Sequence, residues 1–152
     1  QNFKQDYQNL FFYGTVGTGK SFLSGCIARA VADKGYSVCY VSAGKLFSDF
    51  ETEKFRLKED GALTGEYLQT DLLIIDDLGT EMTTQFTVSA LYQIVNGRLL
   101  SGKPTIVSTN LPDTELEARY SAQIASRLLG AYTLYQFCGT DVRLLRKMES
   151  RG

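Results

Sequence analysis

The feature that most constrains this chain is Gly14-Thr15-Val16-Gly17-Thr18-Gly19-Lys20-Ser21, which follows the apolar run Leu10-Phe11-Phe12-Tyr13. That run reads as a buried strand. Residues 19–34 then carry a helical stripe of Phe22, Leu23, Cys26, Ile27, Ala30 and Val31, stopped by Gly35. Strand, then G-x-x-x-x-G-K-[ST], then helix is the order that a phosphate-cradling P-loop requires. Its glycines permit a tight loop whose N–H groups converge on phosphate oxygens, and the helix N-terminus adds partial positive charge. In such a loop Lys20 reaches the β- and γ-phosphates and the Ser21 hydroxyl ligates Mg2+. Nucleotide contacts are therefore expected from Gly14, Thr15, Val16, Gly17, Thr18, Gly19, Lys20, Ser21 and Phe22.

A second stretch, Leu72-Leu73-Ile74-Ile75-Asp76-Asp77-Leu78-Gly79, sets four large apolar residues before two adjacent carboxylates. The apolar part suits a strand buried on both faces, as in a parallel sheet. Adjacent acids repel each other and are poor strand formers. They are tolerable at the carboxyl end of a strand, where open α/β sheets place their ligands. By themselves they would equally suit a solvated acidic turn. Beside a P-loop they gain a purpose: Asp76 steadies Mg2+, directly or through water, and Asp77 orients or deprotonates an attacking water.

The remaining pattern is that of one α/β domain. Further strands are expected at Ser37 to Ser42, Thr105 to Thr109 and Tyr132 to Phe137. Helices are expected near 44–59, 84–101, 113–119 and 122–129. Alternating strands and helices imply right-handed crossovers and a five-stranded parallel sheet between helices. The chain has 152 residues, enough for one core. No apolar run is long enough to span a bilayer, and no signal peptide opens the chain. Three cysteines without CxxC spacing read as small core residues in a reducing, cytoplasmic setting. With no histidine, His-based metal sites and Ser-His or Cys-His nucleophiles are excluded. Net charge is -1, yet from Arg119 onward the bases exceed the acids by four. A solvated face and a phosphate-binding face explain that excess equally well.

Three more polar residues follow the fourth strand or lie beyond it. Asn110 in "STN" can face the γ-phosphate or the lytic water. Arg127 in "IASRLLG" and Arg143 in "GTDVRLL" can supply charge to the γ-phosphate. An Asn-Lys-x-Asp element that reads guanine is absent, which favours ATP.

On "GTVGTGKS", "LLIIDDLGTE", "KPTIVSTNLP", "SRLLG" and "DVR", in that order, the chain resembles the ATPase domain of the AAA+ family. Within it, the resemblance is to the DnaC/DnaI branch of replicative helicase loaders, with IstB-type transposition helpers similar. It runs from Asn9 to about Arg146. It implies a P-loop NTPase fold over residues 1–152 and a bound ATP with Mg2+. It also implies partners: a replicative helicase, single-stranded DNA and further copies of the chain. Asn110 matches sensor 1, Arg127 an arginine finger acting on the neighbouring subunit, and Arg143 sensor 2. Asp77 stands where most AAA+ proteins have Glu, so slow hydrolysis is expected, and Glu81 is a second candidate base. The helical lid is expected to be absent or vestigial. A separate N-terminal helicase-binding domain is not matched, so the chain is expected to be the C-terminal part of a longer protein. Three alternatives remain open: a transposase helper, a small-molecule kinase and a weakly hydrolysing nucleotide switch.

Overall fold

The computed structural model describes residues 8–15, 17, 19–55, 62–138 and 141–145. The elements run β1 (Leu10–Gly14), α1 (Lys20–Asp33), β2 (Val38–Ser42), α2 (Ala43–Phe55), α3 (Ala62–Gln69), β3 (Leu72–Leu78) and α4 (Gln85–Ser101). They continue with β4 (Thr105–Thr109), α5 (Asp113–Tyr120), α6 (Ala122–Ala131), β5 (Thr133–Cys138) and β6 (Asp141–Leu145). The sheet order is β2-β3-β4-β1-β5-β6. The first five strands are parallel, as the sequence implies. The sheet nevertheless has a sixth strand, β6, antiparallel to β5. The five expected parallel strands are all present, and this edge strand is added to them. "DVRLL" is too short and too charged to announce itself as one, and it pairs because β5 offers it an open edge.

Period-2 alternation splits each central strand between two cores. Phe11, Tyr13, Leu73, Ile75 and Val107 face one side, where Leu46, Phe47 and Phe50 of α2, Leu91, Ile94 and Val95 of α4, and Ile124 and Leu128 of α6 cover them. Phe12, Leu72, Ile74, Ile106 and Phe137 face the other side, with Val31, Leu23, Ile27 and Ala28 of α1. The α1 stripe is therefore rotated from the sequence reading. Ser24 is buried, whereas Phe22, Cys26 and Ala30 are exposed. The loop before α1 fixes its phase, and the apolar pattern only follows. Cys26 is exposed and Cys138 half-buried, so these two are not core residues, whereas half-buried Cys39 packs against the α2-side core.

α4 begins at a reciprocal Thr84–Thr87 capping box and ends at left-handed Gly102, as its sequence signals suggest. Near its end lies Arg98, with no exposed surface. Its guanidinium donates to the carbonyls of Tyr67, Leu68, Thr70, Asp71 and Pro104 and to Thr105 Oγ1. One cation thus ties the end of α3 to the entries of β3 and β4, at the end of the strands opposite the P-loop. Burial lowers its pKa to about 10, so it remains charged at neutral pH.

Candidate nucleotide-binding site

β1 ends at Gly14, which lies beside Phe137 of β5. Its φ is +143°, and a Cβ there would sit 2.1 Å from the Phe137 carbonyl oxygen. Only glycine lets β1 leave the sheet at this point. Gly17 and Gly19 also have positive φ, and α1 starts at Gly19 with no side-chain cap. Its first N–H groups are left to the loop, the arrangement that receives an anion. Lys20 is buried, and its Nζ donates to the carbonyls of Gly14 at 2.9 Å and Thr15 at 2.7 Å. Burial lowers its pKa, while Asp77 and Asp76 pull the other way. The ammonium is thus held in the loop's mouth by carbonyls, over which a phosphate would be a stronger partner. Val16 and Thr18 lie outside the described residues.

The α1 face of the sheet assembles the acidic side of the site. Val38 and Tyr40, Leu72, Ile74 and Asp76, and Ile106 and Ser108 alternate onto this one face. Asp76 therefore emerges under the start of α1. Its Oδ2 accepts from Ser21 Oγ at 2.9 Å and from Tyr40 Oη at 2.9 Å. Its Oδ1 accepts from Ser108 Oγ at 2.5 Å and from the Asp77 N–H at 3.1 Å. Burial, followed by the bond to Asp76, pushes the Tyr40 phenol up to about 12, so it stays a donor at neutral pH. Sequence reasoning missed Tyr40 and Ser108. Their signal is the alternation itself, since each stands two residues beyond an apolar residue on the α1 side.

A Mg2+ ion that keeps several waters and takes one or two protein oxygens plus phosphates suits this donor set. Ser21 Oγ and Asp76 Oδ2 supply those oxygens. No cluster of three or more His, Cys, Asp or Glu is found among the described residues. The site therefore fits a nucleotide-borne cation better than an all-protein metal cage.

Asp77 sits differently. Its φ is +60°, and the β3–β4 register slips by one residue between Ile75 and Leu78. This bulge turns Asp77 out to solvent while Asp76 stays buried. Asp is among the few residues that tolerate left-handed backbone, at a cost of about 1 kcal/mol. Glu81 is tied down instead. Its Oε1 accepts the Gly79 N–H at 2.9 Å, and its Oε2 accepts from Tyr120 Oη. That engagement weighs against Glu81 as the base.

Asn110 follows β4 directly and is half-buried, with no side-chain hydrogen bond among the described residues. Phe22 is 77% exposed at the start of α1. Arg127 is not gathered with Lys20 and Asp76. Its Nε donates to Asn96 Oδ1 at 3.0 Å, and its guanidinium lies 5.1 Å from the Tyr92 ring centroid, both on α4. Arg143 is on β6, opposite Gln136 of β5, which in turn pairs with Tyr13 of β1. Its backbone is thus two strands from the residue before Gly14.

The sequence matches the family described as IstB-like ATP binding protein over residues 1–135. The chain belongs to the IstB-like ATP-binding proteins. An insertion-sequence protein of Mycobacterium tuberculosis, described as ATP-binding, is 27% identical over 103 residues, covering 68% of this chain and 41% of that protein. The replicative helicase loader DnaC of Escherichia coli is 25% identical over 130 residues, 84% of this chain and 53% of the loader. The IstB-like chain thus spans about half the length of these curated relatives. AMPPCP-bound DnaA from Aquifex aeolicus superimposes with a TM-score of 0.78 at 25% identity, over 88% of this chain and 41% of that one. A DnaC helicase loader structure superimposes with a TM-score of 0.76 at 21% identity, over 90% of this chain and 84% of that one. The fold is that of an AAA+ P-loop NTPase, and the family is one of ATP-binding proteins. No helix of the described residues is long and apolar enough to cross a membrane.

Asp77 yields a sharp expectation. Asp77→Asn keeps the side-chain size and tolerates the same backbone, so stability and ATP affinity should change little. If Asp77 is the water's base, turnover should fall about a hundredfold or more, because the substitution removes only a proton acceptor. Single-turnover hydrolysis compared with equilibrium binding of a fluorescent ATP analogue checks this. Normal turnover in Asp77→Asn would return Glu81 to consideration.

Proposed function

We propose that this chain is the ATPase of a helicase loader, using Mg2+ and ATP to help place a replicative helicase on single-stranded DNA. The observation that carries the ATPase reading is the Ser21–Asp76 hydrogen bond beside Lys20, with Asp77 turned out to solvent one residue on. Mg2+, held by Ser21 and Asp76, would neutralise charge developing on the β- and γ-phosphates. Lys20 exchanges the loop carbonyls for phosphate oxygens. Tyr40 and Ser108 keep the Asp76 carboxylate aimed at Ser21. Asp77 accepts the proton of the attacking water, and Asn110, at the end of the adjacent strand, orients that water. Asp is shorter than Glu, so this base reaches less far and hydrolysis is slow. That rate suits a switch timed by its partners.

The helicase assignment draws on the DnaC relative, which matches more of this chain than the insertion-sequence relative does. The family description and the insertion-sequence protein favour a second reading, in which the same ATPase serves a transposase. Affinity capture with ATP, offered purified replicative helicase and transposase side by side, separates the two. Retention of the helicase, with ATP turnover that responds to single-stranded DNA, supports the loader. Retention of the transposase alone overturns it.

Arg127 and Arg143 are assigned, respectively, to a neighbour's nucleotide and to the chain's own. In a single chain, Arg127 rests on Asn96 and Tyr92 of α4, which supports the reading that it acts in trans. A finger supplied in trans is worth ~10³ in rate. Turnover per subunit should therefore rise with protein concentration, and Arg127→Ala should remove that rise while leaving ATP binding intact. A 1:1 mixture of Arg127→Ala with Lys20→Ala should recover part of the activity. If Arg127→Ala weakens ATP binding by the dilute monomer, the residue acts in cis.

A further inference from the structure

The residues just after Asp77 are held more firmly than a loop at a strand end requires. Thr80 turns back on Asp77, its N–H and Oγ1 both donating to the Asp77 carbonyl, at 3.4 and 3.0 Å. On the β4 side, Thr109 Oγ1 donates to the Leu78 carbonyl. Leu111 packs where a Cβ on Gly79 would fall, 2.7 Å away, and Gly79 has φ +105°. On the other side stands Arg119 of α5. Its Nε donates to Thr83 Oγ1 at 2.7 Å, and its Nη2 donates to the carbonyls of Gly79 at 2.8 Å and Glu81 at 3.1 Å. The next residue, Tyr120, donates to the Glu81 carboxylate. A planar guanidinium thus gathers acceptors from three residues of one short turn, a task its fork geometry suits and a lysine's point charge does not.

We propose that Arg119 is a positioning residue for ATP hydrolysis, holding the 79–83 turn so that the strained Asp77 keeps its carboxylate facing the water. The inference rests on the ATPase reading above. Arg119 touches neither nucleotide nor water in this account. It acts through the backbone that leaves Asp77, whose left-handed φ survives only while neighbouring contacts over-determine it. The same contacts couple Asp77 to α5, and α5 leads directly into α6, which bears Arg127. An approaching subunit that shifts α6 therefore has a short physical route to the base.

The test compares kcat, KM, nucleotide-analogue Kd and thermal midpoint for wild type, Arg119→Ala, Arg119→Lys and Thr83→Val. Arg119→Ala should lower kcat by about tenfold or more, the usual effect of losing a group that orients a reacting one. KM and Kd should stay within about twofold, since Lys20 and Asp76 are untouched. Arg119→Lys should recover part of the loss, and Thr83→Val, missing one of the three acceptors, should show a smaller drop. Added guanidinium should partly restore Arg119→Ala. Should Arg119→Ala fold poorly, Thr83→Val and Arg119→Lys carry the same kcat-against-KM comparison. Unchanged kcat in all three variants overturns the proposal. So does parallel loss of kcat, affinity and thermal midpoint, which would make Arg119 a structural tie only. Wild type that binds ATP without hydrolysing it is a separate result, removing the ATPase reading and this inference with it.

Discussion

Lys20→Ala is expected to abolish ATP turnover and to weaken ATP binding by about ten- to a hundredfold. Lys20 is buried between the loop carbonyls of Gly14 and Thr15, with Asp76 and Asp77 close enough to act on its charge. Phosphates entering the loop would bring negative charge toward those two carboxylates. Without the ammonium, the repulsion loses the cation held in the loop itself, in a partly dehydrated site. Charge-assisted hydrogen bonds contribute about 1.5–3 kcal/mol each, which converts to that range of affinity. Turnover suffers further, because the lost interaction strengthens as charge moves toward the leaving oxygen. Removal of one such donor costs about 10²–10³ in kcat. Equilibrium titration with an ATP analogue and steady-state phosphate release give the two numbers. The fold should survive, since the Lys20 bonds to the Gly14 and Thr15 carbonyls lie within its own loop. Unchanged affinity and turnover would show that the loop does not hold phosphate.

Arg98→Ala should be strongly destabilising, by about 3–5 kcal/mol, because several acceptors lose one charged donor at once and a buried hydrogen-bond network is broken. Five backbone carbonyls, three of them in buried bonds, and Thr105 Oγ1 would lose this donor together. Each abandoned acceptor costs about 1–3 kcal/mol before relaxation or entering water reduces the sum. Domains of this size have ~5–15 kcal/mol of total stability, so the variant should sit near its unfolding threshold at room temperature. Arg98→Met tests the cause, because it restores volume without donors and should remain nearly as unstable as Ala. Arg98→Lys should recover only part, since one ammonium cannot reach carbonyls spread from Tyr67 to Pro104. Urea unfolding followed by circular dichroism measures all three. A loss under about 1 kcal/mol in Arg98→Ala would mean that the carbonyls find other partners easily.

These two residues were unequally legible. Lys20 is announced by its motif, because a P-loop is local chemistry: the glycines, the lysine and the hydroxyl all lie within eight consecutive residues. Arg98 is not. In "NGRLLSG" it reads as a basic residue in the last turn of a helix, favourable to the helix dipole and solvated. Its burial is set by α3 and the entries of β3 and β4, which only the fold brings together. α3 was unforeseen for a related reason. "ALTGEYLQ" is short and carries an internal glycine, so its helix depends on contacts such as Arg98 with its last carbonyls. β3 was read as ending at Ile75, whereas it continues through both acids to Leu78. Propensity argues against acids in a strand, but a bulge at Asp77 and hydrogen bonds to Asp76 override it. Sequence alone sends Ser21 and Asp76 to one Mg2+ site, while their direct hydrogen bond, and Tyr40 and Ser108, which complete that carboxylate's partners, required the fold and the register of β2, β3 and β4.

We propose that Asp76 and Asp77, beside the P-loop, make an ATP-hydrolysing site. The most direct test is phosphate release from ATP by wild type and Asp77→Asn, with Mg2+ and with chelator, at protein concentrations that span self-association. Wild type should release phosphate slowly, with a requirement for Mg2+ and a rate per subunit that rises with concentration. Asp77→Asn protein that still binds ATP should show no such release. Equal release by the two proteins, or none by wild type at any concentration, would contradict the proposal.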